Sequence, residues 1–448
     1  MRRRHLLYSP MRRIDRLIID LFEEGISIDR SKRGDERNVL DIFAVTCVSM
    51  LEEMISAKDR YFSLNRILLL AIGLWPYKQS KLVQLQLTLH YGILGSFIIF
   101  QFTTFATTKC DLQLVIEILS VTTVFFNFVI TYFSFHFNMD FVKYLLDLLQ
   151  HTYDDLKDEG EIAIIEKYWS VAKRYTEALT LLVVFSVTSF ILTPFLPYIY
   201  DIVFSANASR PNPSLQIVTE YFIDQERYFY LIILHTDAAF CIGGLTIVAI
   251  GTMFILYMQH VCGMLKITSY RMERIMTISI TRMSGTKSAS LIHKSIIYAV
   301  DMHRKALKIL KTFLSSFNIT FFVLILNGLL YASLNLYRIF REISSGQISG
   351  KVLQSLIYVN MYYLYTFLCN DISQQLMDEN NGIFATVYNV QWYMAPLHIQ
   401  KLILFLLQRG NKTLQIFVGG MIKGSLECFV TLASASISYF TFIYYTNQ

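Results

Sequence analysis

Seven stretches of this chain are long and apolar enough to cross a lipid bilayer, and that limits its fold more tightly than any other feature. The hydrocarbon core of a membrane is about 30 Å thick, so a spanning helix needs about 20 apolar residues at 1.5 Å each. Leu82–Thr104 meets this without one Asp, Glu, Lys or Arg. Ile118–Phe137, Ala178–Tyr200, Ala238–Leu265, Thr312–Tyr337, Val352–Cys369 and Cys428–Tyr445 follow, the last approached through Gly419, Gly420 and Gly424. Each Leu, Ile, Val or Phe in such a run contributes roughly 0.3–0.6 kcal/mol to insertion. Charged residues make up 17% of the chain, against about 25% in soluble domains, as a bilayer requires. The expected fold is all-α: a polytopic membrane protein with seven transmembrane helices.

Two shorter apolar stretches do not span. Leu64–Pro76 reads as an interfacial or packing helix that ends at Trp75-Pro76-Tyr77. Ala395–Leu407 sets Leu397, Ile399, Leu402, Ile403, Phe405 and Leu406 among His398 and Lys401, the pattern of an amphipathic helix that packs on something. Residues 1–53 form a third kind of segment, with ten basic and ten acidic residues, a density typical of disorder or a solvated helix. They read either as an extension upstream of a start at Met54 or as a cytosolic tail. The expected organisation is 1–53 extension, 54–394 the first six spans with their loops, and 395–448 the amphipathic helix plus the seventh span.

Orientation follows Lys and Arg near the membrane. Residues 258–311, between spans four and five, carry ten basic residues and two acidic ones, Glu273 and Asp301. Residues 201–237, between spans three and four, carry only Arg210 and Arg227 against five acids. The first segment is therefore expected in the cytosol and the second outside, which places the N-terminus inside and the C-terminus outside. The sequon Asn207-Ala208-Ser209 falls in the expected outer loop, where Asn207 is a glycosylation candidate. Asn318-Ile319-Thr320 lies within span five and Asn411-Lys412-Thr413 on the cytosolic side, where neither is expected to be used.

Other classes fit poorly. Net charge is +6, and no basic stripe interleaves with aromatics, which argues against nucleic acid. The six cysteines are dispersed and the nine histidines scattered, without CxxC, HxxH or HExxH, so no catalytic centre, metal or cofactor is expected. A transporter built from inverted repeats would show internal repetition, and none is visible. A G-protein-coupled receptor shares the helix number, but the charge asymmetry opposes its orientation, and no DRY-like or NPxxY-like element follows the appropriate spans.

The C-terminal third is distinctive: Ala385-Thr386-Val387-Tyr388-Asn389-Val390-Gln391-Trp392-Tyr393, then His398-Ile399-Gln400-Lys401 and Leu404-Phe405-Leu406-Leu407-Gln408-Arg409, then Gly424-Ser425-Leu426-Glu427-Cys428-Phe429 and Ser438-Tyr439-Phe440-Thr441. This resembles the terminal signature of insect odorant receptors, and Asn65-Arg66-Ile67-Leu68 with Gly73-Leu74-Trp75-Pro76-Tyr77 resembles the start of their hymenopteran members. Gustatory receptors are closer relatives than G-protein-coupled ones, but their usual C-terminal pattern is only partly echoed by Ser438-Tyr439-Phe440. The resemblance covers about residues 54–448 and implies a tuning receptor, not the co-receptor. Such a subunit assembles with a shared co-receptor into a heterotetrameric, non-selective cation channel in the plasma membrane of olfactory sensory neurons, gated by small volatile odorants. It further implies that odorants bind among spans two, three, four and six, that the last helix lines the pore, and that the cytosolic ends of spans four to six and the helix before span seven form the inter-subunit anchor.

On those elements the candidates are as follows. For the ligand pocket, span two offers Phe125, Phe126 and Phe128, and span three Phe185, Thr188 and Phe190. Span four offers Thr252, Met253 and Leu256, and span six Tyr358, Met361, Tyr362 and Tyr365. Any one of these aromatics can equally be an ordinary packing residue. Along the last span, Thr431, Ser434, Ser438, Thr441 and Tyr445 recur at intervals of three or four and share one face. Such a stripe lines water or bonds to neighbouring helices. The resemblance favours the pore, with its constriction at Phe442 and Tyr445 one turn further out. Many members carry a smaller aliphatic residue there, and a Phe fits a subunit that shares its pore with a co-receptor. Lys423 and Glu427, four apart, read as a structural pair at the membrane edge.

Overall fold

The computed structural model describes residues 59–195, 217–281, 286–346, 350–389, 392–410 and 414–446. Two compact units are distinguished, Met1–Arg60 and Tyr61–Gln448. Of the first, only residues 59 and 60 are described, so the charged extension lies outside the described residues, as does the candidate Asn207.

The described chain is helical apart from one small hairpin. Helix α1 is Asp59–Ala71, α2 Lys81–Phe102 with a short helical continuation at Thr104–Thr107, α3 Leu112–Phe137, α4 Met139–Asp154 and α5 Glu159–Leu192. Next come α6 Phe229–Thr281, α7 Thr286–Ser344, α8 Gly350–Asn389 and α9 Leu397–Gly410. Strands β1 (Phe417–Val418) and β2 (Ile422–Lys423) then precede α10, Leu426–Tyr445. Among the described residues seven helices are long and apolar enough to span a membrane: α2, α3, α5, α6, α7, α8 and α10. They coincide with the seven stretches read from the sequence.

Local chemistry sets several helix starts. Ser80 and Ser425 sit in extended conformation before α2 and α10 and accept from Val83 N and Cys428 N, 3.3 Å in each case. Each satisfies an amide that the first turn leaves without a partner. Because the last span begins at Leu426, Lys423 stands in β2, outside the helix, and the i,i+4 relation expected for Lys423 and Glu427 is not formed.

The helices outrun the bilayer. At 1.5 Å per residue, the 53 residues of α6 and the 59 of α7 extend about 80 and 90 Å, against a hydrocarbon core of about 30 Å. The 258–311 segment, expected between two spans, is mostly the continuation of α6 and α7. Helix α5 likewise starts at Glu159, well before the apolar run at Ala178. The extensions are stable as helices because each buries an apolar stripe in a common core. That core takes Leu68, Leu69 and Ile72 from around α1, Val142, Leu145 and Leu149 from α4, and Ile165 and Trp169 from α5. It continues through Val261–Leu265 of α6, Ile296 and Ala299 of α7, Leu376 and Ile383 of α8, and Ile399 and Ile403 of α9. The short apolar stretches at both ends of the chain are thus packing helices.

Charge pairs close the same region. Arg271 of α6 grips Glu161 of α5 through both nitrogens of its fork, Nε to Oε1 at 2.6 Å and Nη2 to Oε2 at 2.7 Å, and donates through Nη1 to Tyr298 O at 3.2 Å. Arg274 pairs with Asp158 at 2.7 Å, and its guanidinium holds that carboxyl below the usual carboxylate range. Glu379 of α8 accepts from Tyr168 at 2.6 Å and stands 3.7 Å from Lys266 Nζ.

The hairpin before the last span is pinned from two sides. Val418 pairs with Ile422, and Gly419 and Gly420 make the turn with φ of +63° and +71°, backbone that residues with a Cβ avoid. Asn318 Oδ1, inside α7, accepts from Gly419 N at 2.7 Å, and Asn370 Oδ1, inside α8, accepts from Ser425 N at 3.1 Å. The sequon at Asn318 is therefore a structural fastener for the hairpin.

Candidate functional site

A cavity of about 410 Å³ lies among α3, α5, α6, α7 and α8 and reaches the buried side of α10. The helices approach closely where side chains are small. A Cβ on Gly243 would strike the Phe128 ring, one on Gly244 would stand 3.0 Å from Val187 Cγ2, and one on Gly251 would stand 3.1 Å from Tyr365 Cε1. These glycines let α6 sit at the centre of the bundle with α3, α5 and α8 around it. Met361, Tyr362 and Tyr365 line the cavity on one side, with Phe128, Asn127 and Thr131 of α3, Ser186 of α5 and Phe254 of α6 also in its wall. Cys428 and Leu432 of α10 complete it.

The other pocket candidates are placed differently. Phe125 is buried behind Phe128, ring centroids 5.4 Å apart, in a cluster with Phe97, Phe190 and Phe240 above the cavity wall. Thr252 is fully buried, donates to Val248 O at 2.6 Å and accepts from Asn65 Nδ2 at 3.0 Å, tying α1 to α6. Met253 and Leu256 are buried in the main core. Phe126, Phe185 and Thr188 stand on outward faces of α3 and α5, with Phe185 61% exposed. Tyr358 lines the cavity and bonds Gln354 Nε2 at 2.9 Å. Periodicity marks the span but not its inward direction when every face is apolar, so the sequence could not separate these two groups.

Helix α10 has two unlike faces. Thr431, Ser434, Ser438, Phe442 and Tyr445 are exposed on this single chain, and Thr441 is half-buried beside them. Three of their hydroxyls are satisfied within the helix, Thr431 to Glu427 O, Ser438 to Ser434 O and Thr441 to Ser438 O at 2.9, 3.0 and 2.7 Å. On the opposite side Ser436 is fully buried. Its Oγ lies 2.6 Å from Tyr363 OH of α8, and its carbonyl accepts from Ser333 Oγ of α7 at 3.2 Å. Tyr363 follows the cavity residue Tyr362 directly, so one turn of α8 touches both the cavity and the last helix. Ser436, Tyr363 and Ser333 carry little signal in the sequence: Ser436 merely falls off the hydroxyl stripe of its own helix.

A second polar ladder joins α3 to α7 within the membrane. Asn327 Nδ2 donates to Asn127 Oδ1 and to Thr123 O, both at 2.8 Å, and Arg338 Nη1 donates to Ser120 Oγ at 2.8 Å. Ser134 Oγ and Thr320 Oγ1 are 2.6 Å apart. Inside lipid such groups bond to one another because water is absent.

No curated protein matches this sequence. The fold is similar to the solved structures of the insect olfactory receptor OR5 from Machilis hrabei, alone and in complex with eugenol. Both match at a TM-score of 0.68 and 16% identity, over 97% of that chain and 87% (eugenol complex) or 86% of this one. Residues 111–437 match the family described as 7tm Odorant receptor. That match takes in five of the seven spans whole, the cavity wall and the first part of α10, and it makes this chain a member of the seven-transmembrane odorant receptor family, a membrane receptor.

Proposed function

We propose that this protein is the odour-binding tuning subunit of a ligand-gated, non-selective cation channel formed with a shared co-receptor. The observation that carries the reading is the asymmetry of α10. A spanning helix with one face bound to α7 and α8 and an opposite face bearing exposed hydroxyls has the form of a pore wall, because hydroxyls can replace part of an ion's hydration. Thr431, Ser434, Ser438, Thr441, Phe442 and Tyr445 are its pore-lining residues in this reading. The bulky Phe442 suits a pore whose other subunits supply the narrow ring. The exposed apolar side of α9, with Leu397, Leu404 and Phe405, is the surface left for neighbouring subunits.

The ligand site is the cavity, with Met361, Tyr362 and Tyr365 as its core. Phe125, Thr252 and Met253 support its wall, and Phe126, Phe185 and Thr188 face lipid or a neighbour. The related structure holding eugenol fits a small organic ligand for this family's fold. The Lys and Arg excess at 258–311 supports a cytosolic position for that end of α6 and α7, with the N-terminus inside and the C-terminus outside; membership of the receptor family supports the plasma membrane of a sensory neuron as its location.

Whole-cell current tests the reading. Cells expressing this chain with and without an insect co-receptor are exposed to a broad panel of volatiles. Current only with the co-receptor, with a non-selective reversal potential and no guanine-nucleotide requirement, is expected. A G-protein-dependent response would sink it.

A further inference from the structure

A second recess, shallow and open, takes no part in the odour cavity. Its wall is Pro76, Tyr77 and Gln79 from the turn between α1 and α2, with Met139, Asp140 and Lys143 from α4. Its level in the membrane follows from the chain. Spans α2 and α3 form a hairpin joined through residues 103–111, so Lys81, the first residue of α2, and Phe137, the last of α3, stand at the same membrane surface. Leu82, Leu85 and Leu89 of α2 and Phe133 and Phe137 of α3 are between 54% and 80% exposed, the mark of faces turned to lipid. The recess lies directly beyond those faces, at the level of the lipid headgroups.

One side of α4 supplies the charge. Asp140, Lys143 and Asp147 are exposed and recur at intervals of three and four, while Val142, Leu145 and Leu149 are buried in the core. Tyr77 lies across them. Its hydroxyl donates to Asp147 Oδ1 at 2.5 Å, and Lys143 Nζ stands 5.5 Å from its ring centroid. Asp147 is therefore engaged. Asp140 and Lys143 are i,i+3 neighbours, a spacing at which opposite charges readily pair. They do not pair: among the described residues neither side chain makes an ion pair or a hydrogen bond. A carboxylate and an ammonium thus line one recess with their bonding capacity unspent.

That arrangement selects among headgroups. Lys143 suits a phosphate, but a phosphate alone would bring a like charge to Asp140. A primary ammonium next to the phosphate removes that repulsion, since its N–H groups can donate to the Asp140 carboxylate and to Gln79 Oε1. A quaternary ammonium has no N–H to donate and is held by aromatic faces. Tyr77, the one ring among the described wall residues, already carries Lys143.

We propose that this recess binds the headgroup of a bilayer phospholipid that joins a phosphate to a primary ammonium, with Lys143 on the phosphate and Asp140 on the ammonium. The exposed apolar faces of α2 and α3 beside it receive the acyl chains. The site is independent of the odour cavity and of the channel reading.

Native mass spectrometry of the purified full-length chain tests it, with phosphatidylethanolamine, phosphatidylcholine and phosphatidylglycerol of identical tails added in turn. The ethanolamine lipid is expected to bind about fivefold more tightly than either of the others, the weight of one charge at a membrane surface. Asp140→Asn should abolish its advantage over phosphatidylglycerol, and Lys143→Gln should weaken both lipids alike. Both side chains are exposed, so neither variant should lower the lipid-free melting temperature appreciably, and a purely structural role would not reorder the lipids. Equal binding of the three lipids, or a preference unmoved by Asp140→Asn, overturns the proposal. Soluble phosphoethanolamine separates the sources. Binding as tight as the lipid's assigns the recess to a free phosphoester and overturns the membrane assignment, while much weaker binding supports it.

Discussion

At the residue scale, the most consequential contacts are those that join the cavity to the last helix. Tyr362 faces the cavity, and Tyr363, next in sequence, bonds Ser436 of α10 at 2.6 Å. In the proposed reading this contact is the direct route by which a shift of α8 at the cavity reaches α10. A buried hydrogen bond of this kind is worth about 1 kcal/mol, and its loss shifts an open–closed equilibrium by about fivefold. Tyr363→Phe and Ser436→Ala should each change the half-maximal ligand concentration or the ligand-free current by that order. The double variant should change them no more than the larger single effect. Concentration–response curves of the co-receptor complex measure this, and full additivity would show that the two side chains act separately. Close packing gives a second prediction. A Cβ on Gly243 meets Phe128 Cδ2 far inside contact distance, so Gly243→Ala forces the ring or the helix to shift. Overpacking of this sort costs about 1–3 kcal/mol. The purified protein should melt at a measurably lower temperature, while alanine at Gly92, mid-helix and with nothing within 4 Å, should leave the melting point unchanged or slightly raised.

At the scale of elements, the extended parts of α5 to α8 are held by packing and by a few charge pairs. Arg271 and Glu161 are 17% and 11% exposed, so the pair is shielded from water on most sides. Arg271→Ala leaves the carboxylate short of its partner, and a charged hydrogen bond in such a place is worth about 1.5–3 kcal/mol. The expected result is a lower melting temperature and less protein at the cell surface, and Glu161→Gln should show the same trend more weakly. The Asp158–Arg274 pair adds a pH dependence. Its folded carboxyl titrates below the ordinary carboxylate value of about 3.9, so its contribution is fully present above that value and is lost as pH falls through the lower folded one. Melting of the wild type in detergent should fall below about pH 4 by more than that of Asp158→Asn. Equal slopes would remove the pair from the stability of this region. The hairpin behaves as a separate device: Asn318→Ala strips Gly419 N–H of its acceptor and should loosen the lead into α10, seen as raised ligand-free current.

For the whole molecule, the exposed stripe of α10 makes the pore prediction. Ser438→Cys in the assembled channel should be blocked by a charged thiol reagent added while the ligand is present, with most of the current lost. Ser436→Cys, on the buried side, should be unaffected, and equal modification of both would mean that α10 does not stand at a pore. How much of this was legible beforehand divides along a physical line. The number and places of the seven spans were read correctly, because insertion depends on summed apolarity and length, which are local properties of the chain. The exposed face of α10 was equally legible, since Ser and Thr at intervals of three and four stand out against an apolar background. Helix α4 and the soluble turns of α5 to α8 were not read, because a charged sequence with a modest apolar stripe becomes helical only when that stripe finds a core. The cavity wall was half legible for a related reason: Tyr362, Tyr365 and Met361 meet at the cavity while Phe126 and Phe185 face outward, and nothing in an all-apolar span tells the two directions apart. The sequence by itself determined a seven-span membrane protein of this family. Only tertiary structure decided which apolar faces close on one another and which enclose a space, because that choice depends on glycines and rings from distant spans meeting at one point.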